Sequence, residues 1–468
     1  MARTGFPAAF AAALAALGGC AHYRAAPLTP ARSAEQLALR RFTDEELRHE
    51  VQRLLPQAAA SWPPAQWDRG ELLAVALVRN PRLALAQTQE QAARAREDTA
   101  GEVQNPDLTL QSEYSRHSER PWLYGLFLDW LPPSPGRRLL ARQIAHLETG
   151  NTHLQLMDET WTVRRELTAA LSDWESARRR AVLLEQLASA QDRLLALEQQ
   201  RVRAGEDAPG ELVSVEGARM EIQQQQSQSR MLAAAAQSAA AKALGMPAAA
   251  LDGLQLTWPG WGNPPLEGEE QRGRTSELAL LSRADLAALI GEYTIAERQL
   301  KLAIARQYPE VTLEPGYYWD HGIAKWPLDL GLTLPVNGNR REIVTARGAR
   351  EVAAKRMLAL QADIYSAIAA AERAEALARD ATAAAERQLE AAQRQLAQSS
   401  LSLNLGASGA VEQVSAEILV VQAQLGVLQM RAQLQAARDE LEDALHLPLS
   451  GPELALAQSY ANRPETGP

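Results

Sequence analysis

The apolar positions of this chain keep two rhythms, a helical one over long stretches and a strict alternation in short windows. In DLTLQSEYS, Leu108, Leu110, Ser112 and Tyr114 share one face, while Thr109, Gln111 and Glu113 share the other. WLYGLFLDWL sets Trp122, Tyr124, Leu126, Leu128 and Trp130 against Gly125, Phe127 and Asp129. Further on, Leu328, Leu330, Leu332 and Leu334 oppose Asp329, Gly331 and Thr333. These windows predict two hairpins, with strands at about 107–115 and 122–131, then about 310–319 and 326–334.

The helical stretches are longer than a compact domain needs. Helix formers run from about Trp67 to Gln104, where Asn105-Pro106 ends them. From Arg137 to about Ala204 there is no proline and only Gly150 interrupts, which predicts a helix roughly 100 Å long. Leu183, Leu187, Ala190, Leu194 and Leu197 step by four and three like a coiled-coil seam, and Leu389, Leu396 and Leu403 repeat at seven. A helix from about Pro209 to Ala243 is expected to return antiparallel.

The chain reads as two copies of one unit. At a shift of 203, NPRLALA from Asn80 falls on RADLAAL from Arg283, and NPDLTLQSEY from Asn105 on YPEVTLEPGY from Tyr308. Trp122 meets Trp326 at 204, and Arg137-Arg138 meets Arg340-Arg341 at 203. Beyond the long helices the shift is 201, matching GELVSVE from Gly210 with VEQVSAE from Val411, and LGMP with LHLP. The first repeat is placed at 67–249 and the second at 274–449, joined by 250–273. Gly205 and Gly406 sit where a left-handed residue closes a helix, and Asp207 and Ser408 two positions on, where each can cap the returning helix. Turn closure explains those residue types but not the repeated Glu211/Glu412, Val213/Val414 and Ser214/Ser415.

Ten of the 23 aromatic residues fall in the two strand windows, as in the Trp/Tyr girdles of a membrane barrel. The core of a small soluble sheet produces the same alternation; the polar opposite face (Thr109, Gln111, Glu113, Asp329, Thr333) favours a wet lumen. Four strands cannot close a barrel, since lipid tolerates no open edge and known barrels begin at eight, so several protomers must share one.

Among 468 residues the net charge is −9 with no dense basic block, which argues against nucleic acid as a partner. The only cysteine, Cys20, ends a leader in which Arg3 precedes an apolar run from Phe6 to Leu17, too short to span a bilayer. LGGC resembles the bacterial lipobox, which implies a signal peptide at 1–19, acylation of Cys20 and a lipid-anchored linker at 20–66; an ordinary signal with a chance cysteine is the alternative. Ala21 in place of Asp implies an outer-membrane address by the same resemblance. No other segment reads as a spanning helix. The tail, 450–468, is turn-rich and carries no assigned chemistry.

The doubled unit, NPDLTL and PEVTLEPGYYW, RADLAALIGEYTIAERQL and the glycine-containing tip turns together resemble the TolC-like outer-membrane factors over roughly residues 67–449. The acylated cysteine and LPVNGNRREI are similar to the lipoprotein branch serving resistance-nodulation-division pumps. The resemblance implies a mostly α fold with a small β part: long antiparallel coiled-coil hairpins, and four strands per chain in a shared trimeric twelve-stranded transmembrane β-barrel. It implies a passive exit duct of a tripartite efflux system for heavy-metal cations or drugs, lying in outer-membrane lipid of a Gram-negative bacterium with a large periplasmic extension. Its partners would be a homotrimer, a periplasmic adaptor (membrane fusion) protein and an inner-membrane pump. An exit duct for type I protein secretion and a non-channel periplasmic coiled-coil scaffold are the alternatives. The implied adaptor-contact residues are Arg203, Gly205, Asp207, Ser214, Gly406, Ser408 and Ser415. The family pattern has a basic residue two before the tip glycine; Arg203 supplies it, whereas Asn404 stands there in the second copy. Glu412 and Glu417 are candidates for an acidic ring at the closed end, and for Glu412 a solvated acid at a helix start is an equal reading.

An enzyme finds no support: there is no phosphate-binding glycine loop, HExxH, Cys/His metal spacing or nucleophile elbow, and no cofactor is expected.

Overall fold

The computed structural model describes residues 23–55, 62–117, 119–132, 134–265 and 283–454. The leader, Cys20 and most of the C-terminal tail lie outside them. The described residues from Tyr23 to Arg41 belong to a unit of their own that contains α1 (Pro30–Ala38).

From Phe42 onward a single unit contains α2 (Glu45–Leu54), followed by two passes that share the succession helix, strand hairpin, long helix, returning helix. The first pass is α3 (Arg69–Arg79), α4 (Pro81–Thr99), β1 (Asp107–Tyr114), β2 (Trp122–Asp129), α5 (Pro135–Ala204) and α6 (Pro209–Leu244). The second is α7 (Ala284–Ala305), β3 (Glu310–Asp320), the short β4 (Ile323–Lys325), β5 (Leu328–Thr333), α8 (Arg340–Asn404) and α9 (Ala410–Leu445). At 70 residues, α5 is about 105 Å long.

The sequence predicts one helical run from Trp67 to Gln104, and the structure divides it. Asn80 is extended and Pro81 is the first residue of α4, where its missing N–H costs nothing. The run ends at Thr99, not at Asn105. Asp68 caps α3 reciprocally with Glu71, accepting from its N–H at 2.8 Å.

Helix α9 is long and apolar enough, by length and composition, to cross a membrane, contrary to the sequence reading. Its apolar residues have other neighbours. Val414 and Ile418 pack with Leu184 and Leu187 of α5, and Leu441 and Leu445 with Ile364 and Ile368 of α8.

The main core lies midway along the long helices. Leu72 and Val75 of α3, Leu167 and Leu171 of α5, and Leu244 of α6 meet Trp258 and Trp261 of the connecting segment there. Burial at Val163, Leu167 and Ala170 recurs at Ile364, Ile368 and Ala371, so the 201-residue shift already holds at mid-helix. Beside the core runs a buried ionic network. Arg164 donates to Glu453 at 2.7 Å and also pairs with Glu442, while Arg438 faces Glu375 at 3.5 Å. Charges this deep persist only when paired, because an uncompensated one costs several kcal/mol.

Candidate functional site

The sheet has two distinct faces, set by register. Thr109 pairs with Phe127, Gln111 with Gly125 and Glu314 with Asp329, all on one side; Leu110 with Leu126 and Leu313 with Leu330 lie on the other. The first repeat joins the second through β2 and β3, with Leu126 opposite Tyr317 and an isolated bridge from Trp130 to Leu313. Every charged residue of the five strands falls on the polar face: seven carboxylates, Glu113, Glu314 and Asp329 among them, and Lys325. The opposite face holds only uncharged residues. Its Leu110, Trp122, Tyr124, Leu328 and Leu330 are exposed in the protomer, with Trp122 stacked on Tyr124 at 5.8 Å. Among the described residues β1 pairs with β2 alone, while β4 and β5 both pair with β3 alone, along its edge away from β2.

Short junctions tie the strands to the long helices. Arg138 and Arg142 of α5 donate to the carbonyls of Gly101 and Ala100, the chain's exit from α4. Asn339, just before α8, donates to the carbonyl of Ala303 at 2.8 Å. The bond to Ala303, in the last turn of α7, satisfies a carbonyl that a helix end leaves without a partner.

At the far end each hairpin closes on a left-handed glycine, Gly205 at φ 78° and Gly406 at φ 68°. Asp207 does not cap α6, whose N-cap is Ala208. Its carboxylate pairs instead with Arg201 at 2.7 Å, because a guanidinium in the preceding turn is a stronger partner than a backbone N–H. Ser408 lies 3.5 Å from the carbonyl of Ser399, and the free N–H of Gly409 is met by the Glu412 carboxylate at 3.0 Å. Arg203 is exposed, as is Asn404 at the matching place.

The repeated serines come together. Ser214 and Ser415 line one groove of about 360 Å³ between the two hairpins, with Gln191, Leu194 and Ile418. Glu417, two residues further along α9, pairs with Arg193 of α5 at 2.5 Å. Sequence reasoning missed Glu198. It is 8 % exposed with Oε2 unpartnered, and burial together with the Asp207 carboxylate pushes it above the usual carboxylate range. Nothing local in LALEQQ marks that position; its burial comes from the packing of the tip.

Where the repeats meet near mid-height, Asp158, Asp285 and His446 converge. Arg283 lies among them, bonded to both oxygens of Asp285 and 3.0 Å from His446 Nε2, so the cluster already holds a resident cation.

No protein-family model and no curated protein matches the sequence. Solved structures do. A membrane protein from Pseudomonas aeruginosa is 19 % identical, with a TM-score of 0.67 over 86 % of this chain and 91 % of that one. The outer membrane protein VceC of Vibrio cholerae is 15 % identical, with a TM-score of 0.66 over 82 % and 97 %. The CmeC outer membrane channel of Campylobacter jejuni is 11 % identical, with a TM-score of 0.67 over 85 % and 90 %. At such identities the likeness is one of fold, and at that level the resemblance to TolC-like outer-membrane factors stands.

Proposed function

We propose that this chain is the outer-membrane channel of a tripartite efflux system, a passive exit duct fed by an inner-membrane pump through a periplasmic adaptor. One observation carries the reading: all charge in the strands is on one face, and the other is apolar and ringed by Trp and Tyr. Lipid accepts the second face and water the first. Open edges at β1 and along β4 and β5 in a lone protomer demand closure by further copies; β4 and β5 continue one register along β3 and count as one interrupted strand, so each chain brings four and three chains make a twelve-stranded barrel. The long hairpins then continue the lumen into the periplasm, and their tips present Arg203, Gly205, Asp207, Ser214, Gly406, Ser408 and Ser415 to an adaptor. Acylation of Cys20 would anchor the linker to the inner leaflet of the outer membrane. The cargo, heavy-metal cations or drugs, is chosen by the pump.

Deleting the gene and measuring tolerance to zinc, cobalt, copper, dyes and antibiotics tests the reading. Hypersensitivity to at least one class, restored by the wild-type chain, is the expected result. Unchanged tolerance throughout, with the protein in the aqueous fraction after cell disruption, would remove it.

A further inference from the structure

Within about five turns of the strands, the two repeats close the same helix seam with different cations. In the first repeat, two histidines of α5 face two glutamates of α4. His146 Nδ1 lies 2.7 Å from the Glu97 carboxylate, and His153 Nδ1 lies 3.2 Å from that of Glu90. Seven residues separate the histidines and seven the glutamates, so the pairs sit on one line of an antiparallel seam, about two turns apart. In the second repeat α7 and α8 meet at the matching level. There Arg350 pairs with Glu297 at 3.2 Å and Arg356 with Glu292 at 3.9 Å. The repeat shift of 203 carries His153 onto Arg356 itself, and His146 onto Ala349, the neighbour of Arg350.

The two seams answer differently to protons. A guanidinium keeps its charge at any pH the protein meets, whereas histidine changes charge between about pH 5 and 8. The acid opposite His146 is ionised throughout that range, because the Thr149 hydroxyl and His146 hold Glu97 below the usual carboxylate range. Arg94, one turn along α4, is the other charge on Glu90, at 2.6 Å. Arg142 of α5, one turn before His146, is occupied by the carbonyl of Ala100. No group of α7 pairs with either histidine among the described residues. Both histidine side chains are more than half exposed, so protons reach them without any opening of the helices. Because α4 leads into β1 and α5 follows β2, this seam is the root of the first strand hairpin.

We infer that the α4–α5 seam is a proton-operated clasp, which tightens as pH falls through the histidine range and loosens as pH rises, while the α7–α8 seam stays as it is. The sign follows from the pairing. A histidine that gains a carboxylate partner binds its proton more tightly in the closed seam than in the open one, so its contribution is complete on the acid side and lost on the alkaline side. Towards pH 4 carboxylates themselves take up protons, which sets the lower limit of the window. The root of the first hairpin is then held more firmly in acid than in neutral medium, and the root of the second equally in both. The inference goes beyond the channel reading, which serves only to put the seam in the periplasm, a compartment whose pH follows the medium.

Hydrogen exchange of the full chain in detergent, followed by mass spectrometry at about pH 6 and pH 8 and corrected for intrinsic rates, tests the clasp. Exposed ion pairs each contribute a small factor, so peptides from α4 are expected to open about three- to tenfold more often at the higher pH, and peptides from Glu292 to Ala305 of α7 less than about twofold. His146→Arg with His153→Arg, which copies the second repeat, should remove the pH dependence and keep α4 protected at both values. His146→Gln with His153→Gln should remove it too, but at the loose level. An equal pH response in α4 and α7, or an arginine double variant that retains the wild-type profile, overturns the clasp; since no transport is read, either result leaves the channel reading as it stands.

Discussion

The carboxamide of Asn80 donates to the carbonyl of Ala243 at 2.7 Å, fastening the break between α3 and α4 to the last turn of α6. Its Oδ1 meanwhile accepts from the N–H of Arg82 at 2.8 Å and caps α4. In the second repeat Arg283 donates to Ala444, the duplicate carbonyl. Two unlike side chains thus satisfy the same helix-end acceptor. Asn80 is buried, so Asn80→Ala forfeits a cap worth about 1 kcal/mol and leaves an acceptor unmet at about 1–3 kcal/mol. Denaturant unfolding of the detergent-solubilised protein should show a loss of roughly 2–4 kcal/mol, the sum of the two. Asn80→Asp keeps the cap but sets a buried carboxylate oxygen against the Ala243 carbonyl, and should lose at least as much.

Gly245 ends α6 at φ 67°, and a Cβ there would overlap the carbonyl of Arg79. Its duplicate, His446, ends α9 at φ 50° and carries a full side chain, stacked on Trp161 at 5.1 Å. The backbone conformation is shared and the space beside it is not. Gly245→Ala is therefore expected to cost the left-handed penalty of about 1–2 kcal/mol plus displacement of α3, and to lower the yield of folded protein sharply. His446→Gly should relieve backbone strain and lose ring packing, a smaller net change read by the same unfolding assay.

Much of this architecture is legible in the residues because one pattern is stated twice. Leu328 to Leu334 alternates without exception, and Gly205 and Gly406 mark turns that no other residue type would close as readily. The break at Asn80-Pro81 was also readable, yet a run of helix formers on both sides hid it. Other features depend on partners that no local window contains. Trp258 and Trp261 lie in the segment that joins the repeats, where no periodicity marks a core, but they help fill the main core, with Trp261 Nε1 donating to Ser172 at 3.1 Å. Asp207 has the spacing of a cap, and Arg201 takes it.

Asp439 is pushed up to about 7 by burial, and the nearby Glu442 adds to the effect. An unfolded aspartate releases its proton near 3.9. Folded protein thus holds the proton where unfolded chain has lost it, and stability falls as pH rises from about 4 to about 7. Asp439→Asn, which retains an acceptor for the amide of Gln435, should match wild type at pH 4 and exceed it at pH 8. The gain is on the order of 2–4 kcal/mol. A variant no more stable at pH 8 than at pH 4, relative to wild type, would contradict the shift.

His446 moves the opposite way in the same range. Burial and the Arg283 guanidinium hold its imidazole down at about 4, so it stays neutral while an unfolded histidine protonates below about 6.5. Its contribution is complete above about 6.5 and is lost as pH falls towards 4, at most about 3 kcal/mol. Because Asp439 loses stability upward through this window and His446 downward, the wild-type profile partly cancels. His446→Gln should unmask the Asp439 slope, giving a variant whose stability relative to wild type improves steadily as pH drops from 7 to 4.

Leu110 and Gln111 are sequence neighbours on opposite faces of β1, opposite Leu126 and Gly125, and under the proposed channel reading they separate lipid from lumen most directly. Arginine at a lipid-facing barrel position costs about 2–4 kcal/mol near the midplane, whereas a wet interior accepts it. Leu110→Arg should therefore reduce assembled protein in the outer-membrane fraction. Gln111→Arg should assemble normally and act on conduction instead, adding a positive charge to a wall that holds seven carboxylates and one lysine per chain. In planar bilayers under a salt gradient, the reversal potential of Gln111→Arg should move towards lower cation preference than wild type. Should Leu110→Arg assemble freely and Gln111→Arg fail, the two faces would be the reverse of those assigned, and the leucine face would line the duct.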